Sequence, residues 1–214
     1  NIAVSADEKT MVYANLSDLS LSFVKYTGSS WGTPVRITSL VQRGLYPVFG
    51  FITMTGDGSR MVYTSDNSLN LVFWSNASNT YINTTRLPSF PVDPPTNCVV
   101  SQVDMSTDGS VLVASILDAT AANTNGAIYF ARWTGSTYSS FTAITTPDAA
   151  NAKSYYGVCI TADGNRIFYN HGYAVTLENL YYANWNGTTY VTVTTPIYTF
   201  NSGNNYLREV RCSP

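Results

Sequence analysis

The chain has 214 residues, 44% of them hydrophobic and 14% aromatic, which is enough to bury the core of one large all-β domain or two small ones. Only 11% are charged and the net charge is −2, so there is no basic stripe to neutralise phosphates and no nucleic-acid partner is expected. The longest apolar run, around "PVFGFITM", is far short of the roughly 20 residues a bilayer-spanning helix needs, so no membrane span is expected and the chain should be soluble.

In chain order, the first signal is "NIAVSADEKTMVYAN", a short apolar strand, a turn centred on Asp7 and a second strand. It is followed by "YTGSSW", in which Tyr26 and Trp31 flank a tight turn at Gly28. Both signals then recur. "FITMTGDGSRMVYT" centres on Asp57 and precedes "WSNASNTY", Trp74 to Tyr81. "QVDMSTDGSVLVA" centres on Asp108 and precedes "WTGSTY", Trp133 to Tyr138. "GVCITADGNRIFY" centres on Asp163 and precedes "WNGTTY", Trp185 to Tyr190. The turn aspartates are spaced by 50, 51 and 55 residues, and two independent motifs sharing one period define a repeat.

Each unit reads as four antiparallel strands, two around the Asp turn and two around the aromatic turn. Alternating β-branched and aromatic residues support the strands, and Asp-Gly supplies the positive φ that a tight hairpin needs. A period of about 50 residues with four strands per unit predicts an all-β fold, a β-propeller. The reading is a single propeller domain over 1–214, with blades at approximately 1–44, 45–95, 96–150 and 151–204 and an extra C-terminal strand at 205–214.

The strand, Ser/Thr-x-Asp-Gly, strand pattern resembles the TolB-type propeller repeat, whose core is Ser-Pro-Asp-Gly followed by an alternating apolar strand. Ser213 and Pro214 match the first half of that core. The resemblance covers all four units, implies the architecture and is silent on activity. Unit one carries Glu8 where Gly58, Gly109 and Gly164 stand, so its turn is expected to differ. Sialidase-type Asp boxes place the glycine two positions after the aspartate, a spacing that does not fit.

Asp7, Asp57, Asp108 and Asp163 read as turn caps rather than metal ligands, because no second acid accompanies them at a fixed offset. His171, the one histidine, sits in "NHGY", read as a surface loop, without a second histidine or a cysteine pair to complete a zinc set. No metal and no cofactor are expected. Asp104 and Glu209 are the remaining acids on innermost-strand segments and the candidate pair for a glycosidase, but they lie in different blades and no further acid completes a set. The expectation is therefore not an enzyme.

The pairs Tyr26/Trp31, Trp74/Tyr81, Trp133/Tyr138 and Trp185/Tyr190 admit two uses: packing across each hairpin, or repeated stacking on sugar rings. Asn15, Asn76, Asn83 and Asn186 open glycosylation sequons, and with them the expected location is extracellular or at the cell surface. Cys98, Cys159 and Cys212 are odd in number; a Cys159–Cys212 disulfide and three buried thiols are both open readings.

The ending "LREVRCS" supplies the innermost strand of a fifth unit, so Val210 to Cys212 and Ile2 to Val4 claim the same place in a closed four-bladed ring. The first reading is a structural propeller that partners itself head to tail, as a filament or surface-layer subunit joined by terminal strand exchange. A glycan-binding propeller, a glycosidase and a piece of a longer six- to eight-bladed propeller are the alternatives. A start at Asn1 rather than Met fits a processed form and equally a piece of something longer.

Overall fold

The computed structural model describes residues 1–15, 20–38, 51–65, 68–90, 98–118, 126–147, 154–173, 177–201 and 210–212. Among these residues there are strands and no helix. Blade one is β1 (Ile2–Val4), β2 (Thr10–Asn15), β3 (Ser20–Lys25) and β4 (Val35–Arg36). Blade two is β5 (Ile52–Met54), β6 (Arg60–Ser65), β7 (Ser68–Ser75) and β8 (Thr80–Arg86). Blade three is β9 (Cys98–Met105), β10 (Val111–Asp118), β11 (Ala127–Arg132) and β12 (Thr142–Ala143). Blade four is β13 (Ser154–Ile160), β14 (Arg166–Tyr173), β15 (Leu177–Trp185) and β16 (Tyr190–Thr192), with β17 (Tyr198–Asn201) also paired to β15. Each blade is an antiparallel meander, and the four are blades of a β-propeller.

Strand alternation explains the stacking. Successive residues of a strand point to opposite faces, and a blade is covered on both. On β6, Met61 and Tyr63 join Val12 and Phe23 of blade one, whereas Val62 joins Val103 and Leu112 of blade three. On β10, Leu112 and Ala114 face back to blade two, and Val111 and Val113 pack on Ile160 and Ile167 of blade four. The three apolar clusters are thus the three blade-to-blade interfaces. Each fully buried aliphatic side chain in them contributes about 1.5–3 kcal/mol.

The Asp turn closes in the same way in every blade. Ser5, Thr55, Ser106 and Thr161 donate a hydroxyl to Asp7, Asp57, Asp108 and Asp163 at 2.6–2.8 Å. The same carboxylate oxygen accepts the N–H of Lys9, Ser59, Ser110 or Asn165. Glycine follows the aspartate in three blades with φ between 67° and 70°, the left-handed region. Glu8 adopts φ 56° and takes the same place. The expected difference in the first turn is therefore not found, because the Ser5 and Lys9 bonds to Asp7 are sufficient to hold a residue with a Cβ there.

The residue before each aspartate joins one blade to the next. Ala6 N–H donates to the Gly56 carbonyl at 2.8 Å, Gly56 N–H to Thr107 at 2.7 Å, and Thr107 N–H to Ala162 at 3.0 Å. These bonds form a ladder around the inner ends of the blades. Below it, β1, β5, β9 and β13 line a central cavity of about 350 Å³, to which Arg211 and Cys212 also contribute.

Of the expected extra strand, residues 205–209, 213 and 214 lie outside the described residues. Val210–Cys212 runs beside β13. A Cβ at Gly157 would stand 2.8 Å from Val210 N, so only glycine admits the segment at this distance. His171 is not in a loop: it lies in β14 between Tyr155 and Asn179. Pairing on both sides outweighs the local turn signal of Asn-His-Gly.

The left-handed residue in blade one is the one without glycine. Glu8→Gly should raise the unfolding free energy by about 0.5–1 kcal/mol in urea denaturation, the left-handed cost of a side chain less the flexibility glycine adds to the unfolded chain. A lower stability would show that the Glu8 side chain contributes more than its backbone costs.

Candidate functional site

The aromatic hairpins are tied to the Asp turns. Tyr81 Oη donates to the Gly58 carbonyl at 2.8 Å, Tyr138 Oη to the Gly109 carbonyl at 2.9 Å, and Tyr190 Oη to the Gly164 carbonyl. Two motifs share one period because the second fastens the first. All three tyrosines are buried, and burial raises their phenols well above the ordinary value, Tyr190 to about 12. Blade one inverts the order of the pair, so Trp31 stands where the others have tyrosine, and a phenol is missing at that position.

Each later tryptophan sits under the preceding blade. Lys25 Nζ lies 3.9 Å from the ring centre of Trp74, the Arg60 guanidinium 4.1 Å from Trp133, and Arg132 4.0 Å from Trp185. Phe23 meets Trp74 edge to face at 5.2 Å, and Phe73 and Phe130 approach Trp133 and Trp185 at 6.1 and 5.9 Å. These cations and phenylalanines are absent from the sequence-level candidates. Lys25 and Arg132 could have been noticed, since each immediately precedes its aromatic motif.

The turn carboxylates are held in the charged form. The Ser5 hydroxyl, then the Lys9 N–H, lowers Asp7; the Thr161 hydroxyl, then the Asn165 N–H, brings Asp163 down to about 2. Burial raises Asp57 and Asp108, but the hydroxyl and N–H donors outweigh it and both end below the ordinary value. A lowered carboxylate contributes stability above its unfolded value, lost as pH falls through the folded one.

Asp104 lines the central cavity and joins three blades. Its carboxylate accepts the Met105 N–H at 2.9 Å within blade three, the Ile160 N–H at 3.0 Å from blade four and the Thr53 hydroxyl at 3.4 Å from blade two. Desolvation on its crowded side pushes this carboxyl up, against the Ile160 and Met105 N–H groups that favour its charge. Its partners are structural. Glu209, the proposed second acid, lies outside the described residues. Among the described residues no three His, Cys, Asp or Glu side chains are grouped to hold a metal ion.

Cys159 and Cys212 form a disulfide, with Cα atoms 5.6 Å apart. Gln102 Nε2 donates to the Val210 carbonyl at 2.8 Å, so the segment is held to blades three and four together. Asn76 and Asn186 are exposed in outer turns, where Asn76 Oδ1 accepts from Trp74 Nε1 and Asn186 Oδ1 accepts from the Thr188 and Thr189 N–H groups. Asn15 closes β2, and Asn83 lies within β8.

No family model and no curated protein matches the sequence. Solved structures do. The chain is similar to TolB from Acinetobacter baumannii, with TM-score 0.56 and 16% identity over 92% of this chain and 44% of that one. It is also similar to the Myceliophteria thermophila Cps50 (Swd1) β-propeller domain, with TM-score 0.54 and 13% identity over 88% of this chain and 56% of that one. At such identity the likeness establishes the propeller fold alone. The chain spans about half the length of these structures.

Removing one phenol isolates the tie between hairpins. Tyr138→Phe leaves the buried Gly109 carbonyl without that donor and should lower the unfolding free energy by about 1–2 kcal/mol. Chemical denaturation measures this, and an unchanged midpoint would mean that water replaces the phenol.

Proposed function

We propose that the chain is a non-enzymatic structural propeller with TolB-type repeats, which assembles with further copies of itself through its terminal strands into a filament or surface layer outside the cell. The observation that carries this reading is the placement of Val210–Cys212. The segment is anchored beside β13 by the disulfide and by Gln102. By its distance from the Ser-Pro end, Val210–Cys212 matches Ile2–Val4 of blade one. Ile2 and Val4 are 52% and 45% exposed, whereas the matching Ile52 and Met54 of blade two are buried. A segment anchored in that register and a poorly covered strand that matches it are the two halves of an exchange. The anchored segment of one copy takes the place of Ile2–Val4 against β2 of the next.

The disulfide and the exposed sequon residues Asn76 and Asn186 support an oxidising, extracellular setting. Carbohydrate binding has narrower support, because Tyr81, Tyr138 and Tyr190 are buried and three tryptophans lie under cations. A longer propeller, of which this chain is four blades and part of a fifth, is favoured by one finding: the chain spans only 44% and 56% of its structural neighbours.

Sedimentation velocity over a wide concentration range, with electron microscopy, separates these readings. Self-assembly predicts particles far larger than one 23.4 kDa chain, and loss of them when residues 210–214 are deleted. A chain that stays monomeric throughout sinks the reading. Native material with an intact mass well above 23.4 kDa points to the longer propeller instead.

A further inference from the structure

The three internal blade interfaces share one device. A cation from one blade covers the tryptophan of the next, at 3.9, 4.1 and 4.0 Å for Lys25/Trp74, Arg60/Trp133 and Arg132/Trp185. Arg60 goes further, since its guanidinium also donates to the Asp108 carbonyl at 2.7 Å and to the Gly109 carbonyl at 3.3 Å. It thereby grips both the aromatic hairpin and the Asp turn of the following blade.

Blade one has the aromatic hairpin without the cover. Tyr26 and Trp31 meet edge to face at 5.6 Å and are each 40% exposed, and among the described residues no cation lies over them. The sheet around them repeats an interface already used inside the chain. Met11 and Tyr13 occupy the positions of Met61 and Tyr63, each 50 residues on, and blade two buries both of those against blade one. This face therefore carries the residues of a blade-docking surface.

The complementary group stands at the other end of the chain. Arg166 follows Asp163 by three residues, as Arg60 follows Asp57. It is exposed and lies over its own blade's Tyr182 at 4.9 Å, with Nε donating to Asn184 Oδ1 at 2.7 Å. Elsewhere on the same blade Ile197 and Tyr198 are 49% and 58% exposed.

We propose that the open face of blade one is an interaction surface for blade four of a second copy of this chain, with Arg166 covering the Tyr26/Trp31 pair and donating to the Asp7 and Glu8 carbonyls. The proposal rests on the self-assembly reading and names the outer half of that contact. Continuity with the internal interfaces carries it: the face repeats blade two's, and the cation repeats Arg60. A positive guanidinium against the negative faces of two rings supplies the charge complementarity. The contact is heterologous, blade one to blade four, so copies add in one direction and close a ring or extend a filament.

Two variants of the full oxidised chain test this, Trp31→Ala and Arg166→Glu, with near-UV circular dichroism to confirm folding. Each should weaken self-association at least tenfold in sedimentation velocity, while Arg166→Lys retains most of it. An equimolar mixture of the two should give a dimer and nothing larger, because each variant keeps one intact face. If Arg166→Glu does not fold, Arg166→Gln takes its place. Should the unaltered chain assemble and both variants assemble equally well, this surface is wrong and the terminal-strand reading stands. Two monomeric variants that fail to pair on mixing overturn the blade-one to blade-four contact. An unaltered chain that is monomeric at every concentration overturns both.

Discussion

The Asp turn is the joint on which the molecule depends, because bonds leave it in three directions. Within the blade, the Ser or Thr hydroxyl and the carboxylate close the inner hairpin. Outward, a tyrosine phenol holds the Gly58, Gly109 or Gly164 carbonyl and fixes the outer hairpin against the inner one. Sideways, the residue before the aspartate donates to the next blade's turn. A single blade satisfies only the first two, so stability belongs to the stack and neighbouring blades complete one another.

Much of this architecture is legible because it repeats. Asp7, Asp57, Asp108 and Asp163 recur at nearly one period beside the Trp/Tyr hairpins, and the turn chemistry of Ser/Thr-x-Asp-Gly needs only local residues. The contacts between blades are another matter. Lys25 over Trp74 and Arg60 over Trp133 join residues from different units, at different positions within the repeat, and no local pattern tells which tryptophan each cation covers. Glu8 misleads in the opposite sense: its side chain argues for a different turn, and the hydroxyl and amide bonds to Asp7 impose the common one. His171 misleads for a similar reason, since strand pairing with Tyr155 and Asn179 extends past the local turn signal.

The candidate functional residues are redistributed by the same logic. Asp104, read beside Glu209 for sugar chemistry, has its oxygens engaged by donors from three blades and serves to hold the inner strands together. The aromatic pairs that suggested sugar stacking are mostly interface, with buried tyrosines and covered tryptophans. What remains uncovered is concentrated at the ends, at Ile2, Val4, Tyr26 and Trp31 on one side and at Ile197 and Tyr198 on the other.

Native-state hydrogen exchange at the Gly56 and Thr107 amides tests most directly whether the turn ladder joins the blades into one cooperative unit. If it does, these two amides exchange only through the opening that also exposes the buried core of β10, with the same dependence on denaturant. Exchange at both that is orders of magnitude faster, while Val111–Ser115 stays protected, would contradict the account, for the blades would then open independently at their shared turns.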